Sequence, residues 1–237
     1  MKRKPLVRIT LSNFALLLAL AAAWPARAQD AKAPYPVMAP LDQYLMERDA
    51  EIALARSAAP ESVSGDAEVM VLGKHGFETA IKGKNGFVCL VERSWSTDFD
   101  DPQFWNPKLR APICFNQPGA RFNVPLLIKK TGFVFAARPK AQLFESLQTA
   151  FDKKELRPPE PGAMCYMLSK QGYLNDRDGH WHPHFMFFVP LTEPAAWGAN
   201  LPGSQIVAVK SAQDRVTTFM IPVAKWSDGT AANMDQH

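Results

Sequence analysis

Short apolar runs separated by compact turns place the strongest constraint on what this chain can fold into. Glu68–Gly73, Gly76–Lys82 and Phe87–Arg93 are rich in Val, Leu, Phe and Ile, and the turns between them read KHG and GKNG. Runs of this length bounded by glycine and polar residues are typical of β-strands joined in hairpins. The stretch from residue 68 to residue 93 is therefore predicted to form an antiparallel meander.

Two further hairpins are predicted in the C-terminal half of the chain. Ala163–Lys170 and Pro183–Pro190 are strongly β-like, and they flank the polar loop QGYLNDRDGHW. Ser204–Lys210 and Arg215–Val223 form another pair around the turn SAQD. Because short connections favour antiparallel neighbours, these strands are expected to belong to an antiparallel sheet.

Helical patterns are fewer than strand patterns. Pro40–Ala58 is rich in Ala and Leu, and Pro139–Glu155 places its apolar residues on one helical face. Phe122–Ala137 fits either a helix or a strand. The combination predicts an α+β fold with a single domain over residues 40–226. It should contain a mainly antiparallel β-sheet and two or three packing helices.

The connection from residue 94 to residue 120 is rich in proline, glycine and large aromatic residues. It is predicted to be irregular but ordered, because disordered segments contain few aromatic residues. Within the aromatic loop, residues 94–107, Trp95, Phe99 and Trp105 stand among acidic residues. Exposed rings beside carboxylates suit a sugar or a cationic ligand, whereas buried rings would only close the rim of the core.

The first 28 residues have the features of a cleaved Sec signal peptide. Basic residues precede the apolar stretch LSNFALLLALAAAW, and Ala-Arg-Ala at positions 26–28 supplies a cleavage site. The sequence therefore predicts an exported protein, periplasmic or secreted, that is cut after Ala28. Residues 29–39 are expected to form a flexible leader and residues 227–237 a flexible tail.

Removal of the signal peptide changes the charge balance of the chain. Five of the 27 Lys and Arg residues lie before residue 29, where there is no Asp or Glu, so 22 basic residues face 23 acidic ones. This balance gives no reason to expect nucleic acid or an anionic membrane as a partner. No second long apolar run follows, so a soluble mature chain without a membrane span is expected.

The three cysteines, Cys89, Cys114 and Cys165, all lie among apolar residues. In an oxidising compartment two of them can pair in any of three ways and leave one thiol free. The sequence contains no Cys-x-x-Cys, which argues against thioredoxin-like and zinc-ribbon sites. Which two cysteines pair stays open at this point.

Three of the five histidines alternate in NDRDGHWHPHFMFF: His180, His182 and His184. On a strand such residues share a face, and those two apart lie about 6.6 Å from each other, close enough for two imidazoles to meet one ion. Imidazole suits Zn or Cu, so the cluster predicts a transition-metal site with Asp178 as a further ligand. The ends of the cluster lie about 13 Å apart on a straight strand, so a third histidine requires a bend at Pro183. The alternative is a polar turn whose histidines contact only water or backbone.

Common catalytic motifs are absent from the sequence, so whether the protein is an enzyme stays open. Nucleophile-elbow, phosphate-loop, dinucleotide-binding and zinc-protease motifs do not occur. If a metal were catalytic, activation of water for hydrolysis would be the expected chemistry. The competing hypothesis is an envelope module that binds or supports a partner without a metal and uses the aromatic loop.

The segments FVCLVERSW, PGAMCYMLSKQGYLND and HWHPHFMFF resemble segments of an uncharacterised family of exported bacterial proteins. The resemblance covers most of the mature chain. It implies export but no particular activity, and it adds nothing to the metal hypothesis.

Overall fold

The computed structural model describes residues 34–233. The predicted signal peptide, the predicted leader up to residue 33 and the last four residues of the predicted tail lie outside the described residues. Residues 227–233 make backbone hydrogen bonds to the rest of the chain, including one from the Ser227 N–H to the Leu168 carbonyl at 2.9 Å.

One sheet of eight strands organises the described chain, which confirms the α+β class. Its order is β2-β1-β3-β4-β5-β6-β8-β7. The strands are β1 (Glu68–Gly73), β2 (Gly76–Ile81), β3 (Val88–Glu92), β4 (Ala111–Phe115), β5 (Met164–Met167), β6 (His184–Pro190), β7 (Val207–Ser211) and β8 (Val216–Pro222).

The sheet is mixed, and this corrects the predicted meander. β1 and β2 form the expected hairpin, but β3 pairs with β1 in parallel and with β4 in antiparallel orientation. The reason is burial: Glu78 and Thr79 of β2 are exposed, whereas the middle of β3 is buried and apolar. β2 therefore takes the edge of the sheet and β3 a central position on the other side of β1. The β5–β6 and β7–β8 hairpins form as predicted.

Within residues 34–233, four α-helices accompany the sheet: α1 (Arg48–Arg56), α2 (Glu61–Ser64), α3 (Gln117–Phe135) and α4 (Lys140–Asp152). The helix predicted at Pro40–Ala58 is shorter, because a separate 3-10 turn at Leu41–Gln43 precedes α1. The ambiguous stretch around residues 122–137 is helical. Asn116 caps α3, since its side chain accepts a hydrogen bond from the Gly119 N–H at 2.9 Å.

β4 lies within the stretch that was predicted to be irregular. All five of its residues are buried, although Pro112 lies inside the strand. β4 is buried on both faces and therefore lacks the alternation of apolar and polar residues that marks a half-exposed strand. The prolines in and around β4 favoured the prediction of an irregular segment, although β4 is a central strand of the sheet.

The helices cover only part of the sheet. α1 packs on one face against β1, β3 and β4, and α3 packs on the opposite face with α4 beside it. β6, β8 and β7 extend the sheet beyond these main helix contacts. A concave surface therefore remains beside the first half of α3, where Phe122 contacts Phe188 with ring centroids 6.2 Å apart.

The outer edge of β7 is closed by a side chain. Asn200 donates a hydrogen bond from Nδ2 to the Ala208 carbonyl at 2.8 Å and accepts one from the Ala208 N–H at 2.9 Å. Its own N–H donates to the Ile206 carbonyl at 3.0 Å. Asn200 thus satisfies the outward backbone groups of Ala208, which an additional strand would pair with.

A disulfide joins Cys89 of β3 to Cys114 of β4, which resolves the open pairing. The two residues lie opposite each other in the strand register. Cys165 of β5 is a free, buried cysteine, and burial raises the pKa of its thiol well above the usual range. Cys165 therefore stays a protonated apolar contact of the core.

Candidate functional site

Glu92 ends the central strand β3 on the face that carries α3. Side chains alternate along a strand, so Glu92 shares a face with Leu90, which is buried in the core under α3. Beyond α3 this face borders a cavity of about 310 Å³, hereafter the acidic cavity. Five separate parts of the chain build it. It is lined by Glu92, Ser96, Thr97, Asp98, Asp101, Ile113, Phe122, Asn123, Leu126, Met186, Phe188, Val209, Ser211, Asp214, Val216, Thr218 and Met220.

The lining combines apolar walls with carboxyl groups. Glu92, Asp98, Asp101 and Asp214 line the cavity, and among the described residues no Lys, Arg or His does so. Most of the other lining side chains are apolar or aromatic. A concave apolar site with a few converging polar groups is the usual form of a small-molecule site, and the volume lies at the lower end of the usual range of about 300–1,000 Å³.

Asp214 is a largely buried residue of the cavity lining and forms an ion pair with Lys130 of α3. The Lys130 Nζ lies 2.8 Å from Asp214 Oδ2 and also donates to the Ser96 carbonyl at 3.2 Å. Asp214 is 8 % exposed, and within residues 34–233 its Oδ1 makes no hydrogen bond of normal geometry, although the neighbouring Gln213 side chain interacts with the carboxylate. Burial raises the pKa of Asp214 although Lys130 opposes the shift. One acceptor atom of the pair is therefore left unsatisfied.

Burial also dominates the electrostatics of Glu92. It raises the pKa of Glu92 from its ordinary 4.5 to about 7, while a hydrogen bond with Ser96 and the charge of Lys130 act in the opposite direction. The negative charge of Asp214 adds to the increase. A carboxyl group with a pKa near neutrality can exchange a proton under ordinary conditions, and such groups concentrate at functional sites.

The loop that closes the cavity is fastened to the β7–β8 turn. Asp98 accepts a hydrogen bond from the Ser211 hydroxyl at 2.7 Å. The side chain of Gln213 accepts from the Phe99 N–H at 2.9 Å and donates to the Thr97 carbonyl at 3.3 Å. These contacts fix the carboxyl groups of the loop relative to Asp214.

The aromatic residues of the predicted ligand-binding loop point into the protein. Trp95 is 1 % exposed and Trp105 is 8 % exposed, and both belong to the core, whereas Phe99 is partly buried against it. The Trp95 Nε1–H donates to the Thr131 hydroxyl at 3.0 Å. The aromatic loop therefore contributes its carboxyl groups, from Asp98 and Asp101, to the acidic cavity, while its tryptophans anchor it.

The three predicted metal-binding histidines have different surroundings. His180 is exposed and stacks on Trp226 with ring centroids 6.1 Å apart. His182 and His184 are partly buried, and the Nδ1 atom of His184 lies 2.7 Å from the His182 carbonyl oxygen. Burial lowers the pKa of His184, so its imidazole is neutral at pH 7.

Asp178, the fourth predicted ligand, is engaged within its own loop. Its carboxylate pairs with Arg177 at 2.7 Å and accepts a hydrogen bond from the Asn175 side chain at 3.0 Å. In the part of the chain that the structure describes, no group of three His, Cys, Asp or Glu side chains is placed to hold a metal ion. His182 and His184 are thus the members of the cluster that remain close together.

A wider apolar groove of about 700 Å³ lies on the opposite face of β6 and β8, between Trp197, Phe219 and the proline-rich segment 158–161. Glu160 is the ionisable side chain in its lining, and Arg121 already binds it at 2.6 Å. The groove is larger than the acidic cavity but offers no converging polar groups. The acidic cavity is therefore the better candidate site.

Compared with known proteins, the chain matches no family model, no curated protein sequence and no solved structure. None of the helices within residues 34–233 combines the length and apolar character needed to cross a membrane.

Proposed function

We propose that this chain is a ligand-binding protein that holds a small molecule in the acidic cavity. The observation that carries the proposal is Asp214, a buried carboxylate with an unsatisfied oxygen beside a cavity that Glu92 also lines. A buried acceptor without a partner costs about 1–3 kcal/mol. Asp214 cannot be replaced by an apolar residue without leaving the buried Lys130 unpaired, whereas a donor group of a bound ligand would satisfy the free oxygen and leave the ion pair intact.

The proposal includes export of the protein to the periplasm or beyond. The Cys89–Cys114 disulfide supports this location, because disulfides form and persist in oxidising compartments and are rare in the cytosol. The signal-peptide features of the first 28 residues point in the same direction.

Filling the cavity is expected to abolish ligand binding without unfolding the protein. Thr218 of β8 lines the cavity and is partly exposed, so Thr218→Trp should occupy the volume with little backbone change. The measurement is ligand-detected NMR of the wild-type protein with a panel of small amines, carboxylic acids, sugars and neutral aromatic compounds. Wild-type protein should give hits, and Thr218→Trp should lose them.

The matched control is Thr79→Trp, which places the same ring on an exposed position of the edge strand β2. This variant should keep every hit. A panel without hits, or hits that survive in Thr218→Trp, would show that the acidic cavity is not a binding site.

A second candidate function, metal binding at His182 and His184, is favoured by one contact. A carbonyl oxygen only accepts hydrogen bonds, so the 2.7 Å contact with the His182 carbonyl places the proton of His184 on Nδ1. The lone pair is then on Nε2. Metal-bound histidines usually donate their other ring N–H to a carboxylate, carbonyl or water in this way.

Zinc or copper content tests this second candidate. Untagged protein purified without chelator should contain nearly stoichiometric metal by mass spectrometry, and His184→Gln should lose it. His75→Gln is the matched control, because His75 is exposed in the β1–β2 turn. Metal-free wild-type protein after incubation with both ions would remove metal binding from consideration.

A further inference from the structure

We infer that the ligand of the acidic cavity is a small organic amine, whose ammonium group lies between Glu92 and Asp214 and whose apolar body contacts Phe122 and Phe188. The inference rests on the proposed function, because it names the class of ligand for the same cavity. It goes further in assigning the charge of the ligand and a proton that leaves when the ligand binds.

The charge of the lining excludes an anion on electrostatic grounds. Lys130 neutralises one carboxylate, Asp214, through Oδ2 and is itself 2 % exposed and absent from the lining. Asp98 is satisfied by a neutral hydroxyl, that of Ser211. Lys130 also acts on Glu92, and Lys140 acts on Asp101, but neither lysine lines the cavity. Four carboxyl groups in the lining therefore outnumber the two nearby cations, and the local potential favours a positive ligand.

The unsatisfied Oδ1 of Asp214 specifies the kind of cation. Oδ1 is buried, so the Asp214 side chain must turn toward the cavity to meet a ligand. An ammonium group carries N–H donors and can then give one to this oxygen, whereas a quaternary ammonium has no N–H to give. Aromatic rings of Phe122 and Phe188 stand in the same lining. They offer apolar contact to the body of the ligand and their faces to its charge. A primary or secondary amine with a compact apolar body meets both requirements.

Binding of such a cation should release a proton from Glu92. Glu92 is about half protonated at pH 7, and a nearby positive charge favours the ionised form. The proton passes to solvent, and the new pair is a carboxylate with an ammonium. The other titratable groups around Glu92 are Lys130 from α3, Asp214 from the β7–β8 turn, Asp98 and Asp101 from the loop, and Cys165 from β5.

The test compares three probes of similar shape and different charge. Isothermal titration calorimetry at pH 7 measures 2-phenylethylamine, 2-phenylethanol and 3-phenylpropionate against the full mature protein. The amine should bind at least about tenfold more tightly than the alcohol, since a hydrogen bond to a charged group contributes about 1.5–3 kcal/mol, and the acid should not bind. Titrations in phosphate and in MOPS should give different apparent enthalpies, because the two buffers take up the released proton with different heats of ionisation. The difference should correspond to a fraction of a proton per ligand bound.

Glu92→Gln should bind the amine about tenfold more weakly and release no proton. Asp100→Asn is the matched control, because Asp100 is an exposed acid of the same loop that does not line the cavity. It should behave as the wild type does. Asp214→Asn is not used, because it removes the ion-pair partner of the buried Lys130. Glu92→Gln leaves that ion pair intact and is therefore the test variant.

A second readout follows from linkage. The pKa of Glu92 is raised in the folded state, so the folded protein holds this proton more tightly and its stability falls as pH rises from about 4.5 to about 7. Glu92→Gln should lack this decline, and saturating 2-phenylethylamine should reduce it in the wild type.

The outcomes separate this inference from the proposed function. If 2-phenylethanol or 3-phenylpropionate bound at least as tightly as 2-phenylethylamine, and Thr218→Trp abolished that binding, the ligand would not be an amine. The acidic cavity would still be a binding site. Amine binding that Thr218→Trp leaves intact would overturn both. Amine binding without proton release, or release that persists in Glu92→Gln, would overturn the assignment of Glu92.

Discussion

Arg93→Met is expected to lower the free energy of unfolding by about 3–5 kcal/mol, the usual cost of removing one partner from a buried ion pair. The Arg93 side chain is fully buried. Its guanidinium lies 2.9 Å from Glu51 Oε1 and donates to the carbonyls of Tyr44 at 2.7 Å and Val91 at 2.5 Å. Glu51 accepts one further hydrogen bond, from the Leu72 N–H at 3.0 Å. Loss of Arg93 leaves the Glu51 carboxylate buried without its ion-pair partner.

Urea denaturation measures this effect, and a double variant identifies its cause. Glu51→Gln combined with Arg93→Met removes both charges and keeps an acceptor for Leu72, so it should recover much of the lost stability. Arg48→Ala breaks an exposed pair with Glu78 and should cost at most about 1 kcal/mol. If Arg93→Met were as stable as the wild type, the pair would not be a structural element of this core.

Removal of the Cys89–Cys114 disulfide is expected to cost about 3–4 kcal/mol. The bridge spans 25 residues, and closure of a loop of this length reduces the entropy of the unfolded chain by that amount in the chain-entropy description. The measurement is urea denaturation of Cys89→Ala/Cys114→Ala beside the wild type, with and without reductant.

Reductant should destabilise the wild type and leave the double variant unchanged. Cys165→Ala is the control, because it removes the buried free thiol and keeps the bridge. Alkylation of the denatured, unreduced wild type should label one cysteine. Three labelled cysteines, or a reductant-insensitive wild type, would contradict the assignment.

Local patterns predicted the hairpins of this fold but not the position of every strand. The β5–β6 and β7–β8 pairs could be predicted because each has a turn of its own that brings neighbouring segments together. The parallel contact between β1 and β3 and the central place of β4 depend on which strands are buried on both faces. That choice is made by packing against α1 and α3, which a short window of sequence does not contain.

The candidate site was missed for a related reason. Glu92, Asp98 and Asp214 come from a strand end, a loop and a hairpin turn, so no local motif joins them. Two weak signals exist in the sequence. Glu92 ends the apolar run FVCLVE, and strand alternation places it on the same face as the apolar residue Leu90. Lys130 lies in the apolar stretch VPLLIKKTGFVF. A charge at a core-facing position predicts a buried partner without saying which residue provides it.

The histidine cluster shows the reverse case, in which a clear local pattern does not produce a shared geometry. The strand begins at His184, so the alternation that would align the three imidazoles does not extend back to His180. His180 instead stacks on Trp226. Spacing alone could not reveal where the strand starts.

The amide of Asn200 has a consequence for how copies of this chain meet one another. A sheet can extend from one molecule to the next only if the edge strand has unpaired backbone N–H and C=O groups. At Ala208 a strand from a second copy would first have to displace the two hydrogen bonds with Asn200. The Asn200 side chain thus opposes the pairing of a further strand with β7 at this residue. Because Val207 and Val209 beside it are exposed, we expect loss of the Asn200 amide to increase the tendency of β7 to pair with another copy of the chain.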